Sequence, residues 1–215
     1  MMVRILRFAL YTWMRIFHAL QFHGLSNIPA AGPVVIAANH PSYFDPVVLS
    51  LATGRHVRFF ALADILNVPL IGWFCRHWGI LPVYRGGDNE PTVRNALDVL
   101  KRGGAIGIFP EGRRSMQWAM GKAKPGVGRL ALQSGATIVP CVIYGTWKAW
   151  PHLTALPHPA KVVVDFLPPL QPEGPDTKEN HQRIADQVRE LIVAEQLKHR
   201  VGPAPDGVGE ARDYY

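Results

Sequence analysis

A histidine and an aspartate with four residues between them, His40 and Asp45, stand in the stretch Asn39-His40-Pro41-Ser42-Tyr43-Phe44-Asp45-Pro46. An imidazole held by a carboxylate is the usual form of a general base working near neutral pH. Each residue alone has a plainer reading: His40 could satisfy a backbone carbonyl at a strand end, and Asp45 could be a helix cap. Ser42 lies close enough in sequence to be considered as a nucleophile, although a turn-forming serine is the commoner role. No Gly-x-Ser-x-Gly elbow is present, which argues against a serine esterase of that type. No metal site is expected, because His40 and Asp45 have no third and fourth ligand, and His152 and His158 read as surface residues of a loop.

The flanking residues say what must hold this pair. Val34-Val35-Ile36-Ala37-Ala38 reads as a short buried strand, and Asn-His-Pro-Ser after it reads as the chain leaving the sheet. Asp45 as N-cap with Pro46 as first helical residue predicts a helix start. His40 and Asp45 therefore belong to one strand-to-helix turn, where open α/β sheets place their sites. A second strand, Ala105 to Phe109, runs into Pro110-Glu111-Gly112-Arg113-Arg114-Ser115. Gly79 to Arg85 lies upstream and Ile138-Val139-Pro140-Cys141-Val142 downstream. With these four blocks in this order, from about Val34 to Tyr144, the chain resembles the 1-acylglycerol-3-phosphate O-acyltransferase family of glycerolipid acyltransferases.

The resemblance implies transfer of a fatty acyl group from a thioester to a glycerol hydroxyl, with His40 as general base and Asp45 orienting its ring. It implies that Arg85, Glu111, Gly112, Arg114 and Ser115 serve the acceptor. An acceptor phosphate needs guanidinium forks, for which Arg85 and Arg114 are suited, and close backbone approach, which Gly112 allows. Glu111 would bind the glycerol hydroxyl or position an arginine, and Pro140 would shape a wall. Two positions depart from the family pattern. Arg113 stands where a Thr or Ser is usual, and Phe59 to Leu66 lacks a basic residue, with Leu62 or a neighbour in its place. Both bear on the acceptor more than on the reaction.

Charged residues make up 18% of the chain and apolar ones 48%, and the net charge is +7. This is a globular composition that favours anionic partners: nucleic acid, a membrane surface or phosphorylated substrates. The basic residues are spread along the chain without a nucleic-acid motif, so nucleic acid is not an expected partner. Cys75 and Cys141 lie in apolar stretches and read as buried, reduced thiols. A membrane span needs about 20 mostly apolar residues, and Arg4, Arg7, Arg15 and His18 interrupt the apolar N-terminal stretch.

From Val3 to Phe22, Arg4, Arg7, Tyr11, Arg15 and His18 recur at steps of three or four on one helical face, beside a wide apolar face. That pattern fits a helix lying in a membrane interface; the plain alternative is a terminal helix packed on the domain with its arginines in water. Val68 to Trp78 reads either as a buried helix or as an exposed membrane or acyl-chain contact. Strands at Val57–Leu62, Gly79–Val83, Thr137–Ile143 and Lys161–Phe166, the last at an edge, alternate with helices at Pro91–Arg102, Val127–Gln133 and Lys178–His199. Trp118–Pro125 and Trp147–Pro159 read as loops. The expected fold is α/β: a mixed, largely parallel sheet flanked by helices, with an N-terminal amphipathic membrane-associating helix (1–23), an acyltransferase domain (24–200) and a disordered tail (201–215).

The expected reaction acylates a lysophospholipid, foremost 1-acyl-sn-glycerol-3-phosphate to phosphatidate. Acyl-CoA or acyl-carrier protein is the co-substrate, with no bound cofactor. The expected location is peripheral or monotopic, on the cytoplasmic face of a membrane. The rivals are another lipid acceptor (a lyso-ornithine lipid, another lysophospholipid or a glycolipid) and a non-catalytic lipid-binding protein.

Overall fold

The computed structural model describes residues 2–69, 71–115, 119–150 and 156–198. In chain order the elements are α1 (Met2–Phe17), β1 (Gln21–His23), β2 (Val34–Ala38), α2 (Asp45–Ala52), β3 (Val57–Leu62), α3 (Ile71–Trp78), β4 (Leu81–Val83), α4 (Glu90–Lys101), β5 (Ala105–Ile108), α5 (Gly126–Ser134), β6 (Thr137–Tyr144), α6 (Thr146–Ala149), β7 (Val163–Phe166) and α7 (Lys178–Lys198). The seven strands form one sheet in the order β1-β7-β6-β2-β5-β3-β4. Every neighbouring pair is parallel except β6 with β7. The mixed, largely parallel sheet with flanking helices is thus the fold expected from the alternation of segments.

All five residues of β2 are buried, as an apolar run must be when helices cover both faces of a parallel sheet. Alternate residues divide between two cores. Val34, Ile36 and Ala38 pack with Met14 of α1 and Val48 and Leu49 of α2. Val35 and Ala37 pack with Leu97 and Leu100 of α4, Leu130 of α5 and Ile184 and Val188 of α7. The molecule therefore has three layers, with α1 and α2 on one face and α4, α5 and α7 on the other.

Four local expectations change. The chain enters α2 through Phe44 as N-cap, and Asp45 is the first helical residue; its carboxylate turns back into the preceding turn and makes no helix cap. Helix α1 stops at Phe17, and Gln21–His23 leaves as a strand beside β7, so β7 is interior and β1 is the edge. The segment after β6 opens with the short helix α6 before residues 151–155, including His152, which fall outside the described residues. His158 is exposed. The 201–215 segment also lies outside them.

The fourth change concerns the basic stripe of α1. Arg7 donates to the carbonyls of Leu51 and Thr53 at the end of α2. Arg15 donates to the Leu20 carbonyl (2.7 Å), and His18 is fully buried. Arg7 and Arg15 thus satisfy backbone carbonyls, Arg15 while still exposed, and Ile5, Phe8 and Ile16 face out. Likewise α3 is not a buried helix: Gly72 and Cys75 point in, and Trp73 and Phe74 are exposed.

Candidate active site

Strands β6, β2, β5, β3 and β4 run parallel, so their C-terminal ends share one edge of the sheet. That edge carries the sequence-derived blocks. Asn39 ends β2 by bonding both backbone groups of Ile143 in β6: Nδ2 donates to the carbonyl (3.0 Å) and Oδ1 accepts from N–H (2.8 Å). This side chain replaces the next rung of the ladder and lets the backbone turn at His40.

In the turn, His40 Nδ1 lies 2.7 Å from Asp45 Oδ2, which also accepts from the Ser42 N–H at 2.7 Å. With the carboxylate as acceptor the imidazole proton sits on Nδ1, leaving Nε2 as the basic nitrogen. Nε2 makes no hydrogen bond among the described residues, and the side chain keeps 17% of its surface exposed. Asp45 has none exposed. Burial pushes its pKa up; His40, the Thr146 hydroxyl and the Ser42 N–H work the other way. Asp45 Oδ1 and Thr146 Oγ1 are both buried and neither meets hydrogen-bond geometry, although the hydroxyl is close enough to favour the charged carboxylate. The Ser42 hydroxyl faces the Trp150 carbonyl (3.3 Å) and the Phe44 N–H (3.3 Å), the bonding of a turn-forming serine.

An aromatic column fixes the plane of the imidazole. Phe109 stacks on His40 with centroids 3.9 Å apart and planes 12° apart, and Phe59 continues the stack at 6.0 Å. Phe59 lies directly on Gly107, where an added Cβ would come within 2.1 Å of its ring. The glycine in β5 thus makes room for Phe59, which supports Phe109, which supports His40.

Glu111 is buried, and its two oxygens accept from the backbone N–H groups of His40 (3.3 Å) and Gly121 (3.0 Å). Burial pushes its carboxyl pKa up, against the pull of those N–H groups, His40 and the Ser115 hydroxyl. Its carboxylate ties the His40 turn to the loop around Gly121. The Ser115 N–H donates to the His40 carbonyl (2.9 Å), closing the same junction.

Arg114 lies over the Tyr43 ring, with Cζ 3.6 Å from the centroid, so a residue of the His40 turn supports the guanidinium. Gly112 adopts φ +67°, and Lys124 Nζ reaches across it, 2.7 Å from where a Cβ would stand. Arg113 is exposed beside them. Arg85 is exposed in the turn after β4; with strand spacings of about 4.8 Å, three positions set it about 14 Å along the edge from β2. Leu62, also exposed, ends the intervening strand β3. His40, Asp45, Glu111, Gly112, Arg113, Arg114 and Ser115 are thus gathered in one place and Arg85 stands at its flank. Pro140 is set apart: it lies within β6 opposite Ala37, in the body of the sheet.

The Acyltransferase family model matches residues 19–144, more than half of the chain and the whole of this edge. The chain belongs to the acyltransferase family. The chloroplastic 1-acyl-sn-glycerol-3-phosphate acyltransferase of Arabidopsis thaliana is 31% identical over 138 residues, covering 63% of this chain and 38% of that protein. That of Brassica napus is 30% identical over 138 residues, covering 63% and 40%. The chain therefore spans well under half the length of these plant acyltransferases. The crystal structure of the 1-acyl-sn-glycerophosphate acyltransferase PlsC from Thermotoga maritima superposes with a TM-score of 0.72 at 27% identity, covering 92% of this chain and 78% of that one.

Sequence reasoning did not single out Asn39, Tyr43, Phe59, Phe109 or Thr146 as parts of the site. The alternation in Ala105-Ile106-Gly107-Ile108-Phe109 carried the one signal available, a glycine where a core side chain is due.

Proposed function

We propose that this acyltransferase moves a fatty acyl group from acyl-CoA or acyl-carrier protein to the free hydroxyl of a lysophospholipid, foremost 1-acyl-sn-glycerol-3-phosphate, yielding phosphatidate. His40 Nε2 takes the hydroxyl proton as the oxygen attacks the thioester carbonyl. The C–O bond forms, the C–S bond breaks, and the proton passes from His40 to the leaving thiolate. Asp45 holds the tautomer and stabilises the imidazolium. No acyl-enzyme forms, because the acceptor attacks directly. The observation that carries this reading is the 2.7 Å His40–Asp45 pair with Nε2 open on an edge lined by Arg114, Arg113 and Lys124. Two of its supports are the plant relatives named as 1-acyl-sn-glycerol-3-phosphate acyltransferases and the similarity to the Thermotoga enzyme.

Arg114 and Arg85 receive the acceptor phosphate, aided by Gly112 and the Ser115 region. Glu111 braces the site by holding the His40 turn. The donor is phosphate-bearing in either form and meets the basic loop of Lys122 and Lys124. The enzyme works at a membrane surface, with α1 as its attachment, on the cytoplasmic face. No helix among the described residues is long and apolar enough to cross a membrane, which agrees with attachment from one side. A second acceptor reading, another lyso-lipid, is favoured by Arg113, an exposed charge directly after the Phe-Pro-Glu-Gly block.

The test is an acyl-transfer assay in mixed micelles, offering labelled acyl-CoA with lysophosphatidate and a panel of other lyso-lipids. His40→Ala serves as the blank and is expected to lose on the order of 100-fold or more in turnover. Retention of a tenth of the parental rate would end the general-base role. Preference for another lyso-lipid would keep the mechanism and change the acceptor. Silence with every acceptor, repeated with acyl-carrier protein, would leave a lipid-binding protein.

A further inference from the structure

We infer that the helical layer formed by α1, α2 and α3 is the side of the molecule that lies on an anionic lipid bilayer, with α3 as a second contact beside α1. The inference rests on the reading that the acceptor is a membrane lipid, and extends it to the pose.

Three observations carry it. The first is where the large exposed apolar side chains are. Helix α1 presents Ile5, Phe8 and Ile16 at 62%, 71% and 79% exposure, and α3 presents Trp73 and Phe74 at 54% and 40%. Helices α4 and α5, across the sheet, expose no large apolar side chain. Helix α7 exposes only Leu191 and Leu197.

The second is topology. The step from β3 through α3 to β4 moves along the sheet in the same direction as the step from β2 through α2 to β3. Right-handed crossovers then set α3 on the face of α2, the face on which α1 packs. Ile80, just after α3, packs into that core, whereas the connections running the other way, through α4 and α5, pack into the opposite one. The two greasy helices therefore flank α2 in a single layer.

The third is charge. Residues 1–80 contain six arginines but only two acidic residues, Asp45 and Asp64, and Asp45 is buried. Across the sheet, α4 and α7 carry six acidic residues: Glu90, Asp98, Glu179, Asp186, Glu190 and Glu195. On α3 itself Arg76 and His77 are exposed beside Trp73 and Phe74. Aromatic side chains interleaved with basic ones, and almost without acids, suit the headgroup region of an anionic bilayer. A protein partner recognised by this face would have to supply that chemistry over two separate helices.

Flotation with vesicles of equal parts phosphatidylcholine and phosphatidylglycerol tests it on the full chain. The pair Trp73→Glu and Phe74→Glu is expected to lower the partition coefficient about tenfold or more. Phe8→Glu with Ile16→Glu is expected to do the same. Asn95→Glu with Gln187→Glu, an equal charge change at exposed positions of α4 and α7, is expected to float like the parent. Trp73→Ser is the milder α3 variant should the glutamate pair not fold. Parental flotation of the α3 variants, or equal loss in the α4/α7 control, overturns the proposal. So does an oligomer of the parent that the α3 variants dissociate without change in flotation, which would make the face a contact between copies. Turnover separates this from the chemistry: the α3 pair is expected to keep the parental rate on a short-chain acceptor held monomeric. A parent inactive on every acceptor that still floats through α3 would sink the acyl-transfer reading and leave the pose standing.

Discussion

His40 owes its position to neighbours on three sides: the Asp45 carboxylate at Nδ1, the Phe109 ring beneath it, and the Glu111 carboxylate on its backbone N–H. The two carboxylates do different work, and amide substitution separates them. Asp45 pays for its burial in a raised pKa, so its charged form is a cost to the fold at neutral pH. In Asp45→Asn the amide oxygen can take over the two bonds of Oδ2, and the amide nitrogen faces Thr146 Oγ1, an acceptor without a donor. The expected outcome is a melting temperature no lower than the parent's and acyl transfer reduced on the order of 100-fold or more. Glu111→Gln differs, because both Glu111 oxygens accept from backbone N–H groups and an amide offers only one acceptor. That variant is expected to lose about 1–3 kcal/mol in denaturant unfolding, the cost of an unsatisfied buried group. Equal melting temperatures for the two variants would show that Glu111 is not a brace.

At the scale of elements, α1 is fastened to the His40 turn by a histidine. His18 is enclosed by Trp13, Phe17 and Phe44, and neither ring nitrogen meets hydrogen-bond geometry. Burial lowers its pKa below the ordinary 6.5, with the Ala160 backbone pulling the other way. The unfolded chain therefore binds a proton more readily than the folded one, and stability present above pH 6.5 is lost as pH falls below it. Asp45 and Glu111, with raised values, act in the opposite sense, contributing stability as pH falls through their folded pKa values. Comparison with His18→Leu isolates the first effect: the parent is expected to lose melting temperature relative to this variant from about pH 7 to pH 5. In β5, Gly107→Ala would drive a methyl into the Phe59 ring, at an expected cost of about 1–3 kcal/mol in denaturant unfolding and with reduced turnover through the displaced Phe109. The His40–Asp45 turn was legible in the sequence because its signals are local: an apolar run, a turn and a proline within a dozen residues. Its floor was not, since Phe59 and Phe109 meet across two strands. Nor was β1, three residues whose only neighbour is β7, some 140 positions away. The docking of α1 was hidden for a related reason: Arg7 reaches the carbonyls at the end of α2, more than 40 positions away.

Across the whole molecule the two faces of the sheet have separate tasks. One is covered by α4, α5 and α7, with six acidic residues on α4 and α7; the other is the greasy layer, poor in acids, assigned to the bilayer. Salt should then weaken vesicle binding without abolishing it, because apolar contact persists when charge is screened. Flotation at about 0.05 M and 0.5 M salt checks this, and complete loss at the higher value would leave charge as the sole attachment. Between the layers, β2 has β5 on one side and β6 on the other, and no residue of it reaches the surface. His40 hangs two residues from its end. In deuterated buffer the amides of Val34 to Ala38 should be the last to exchange, opening only with the entire protein, while the exposed turn at 85–88 exchanges early. The histidine proposed as base is thus mounted on the slowest-opening part of the chain, so heat should silence acyl transfer at the melt and not before.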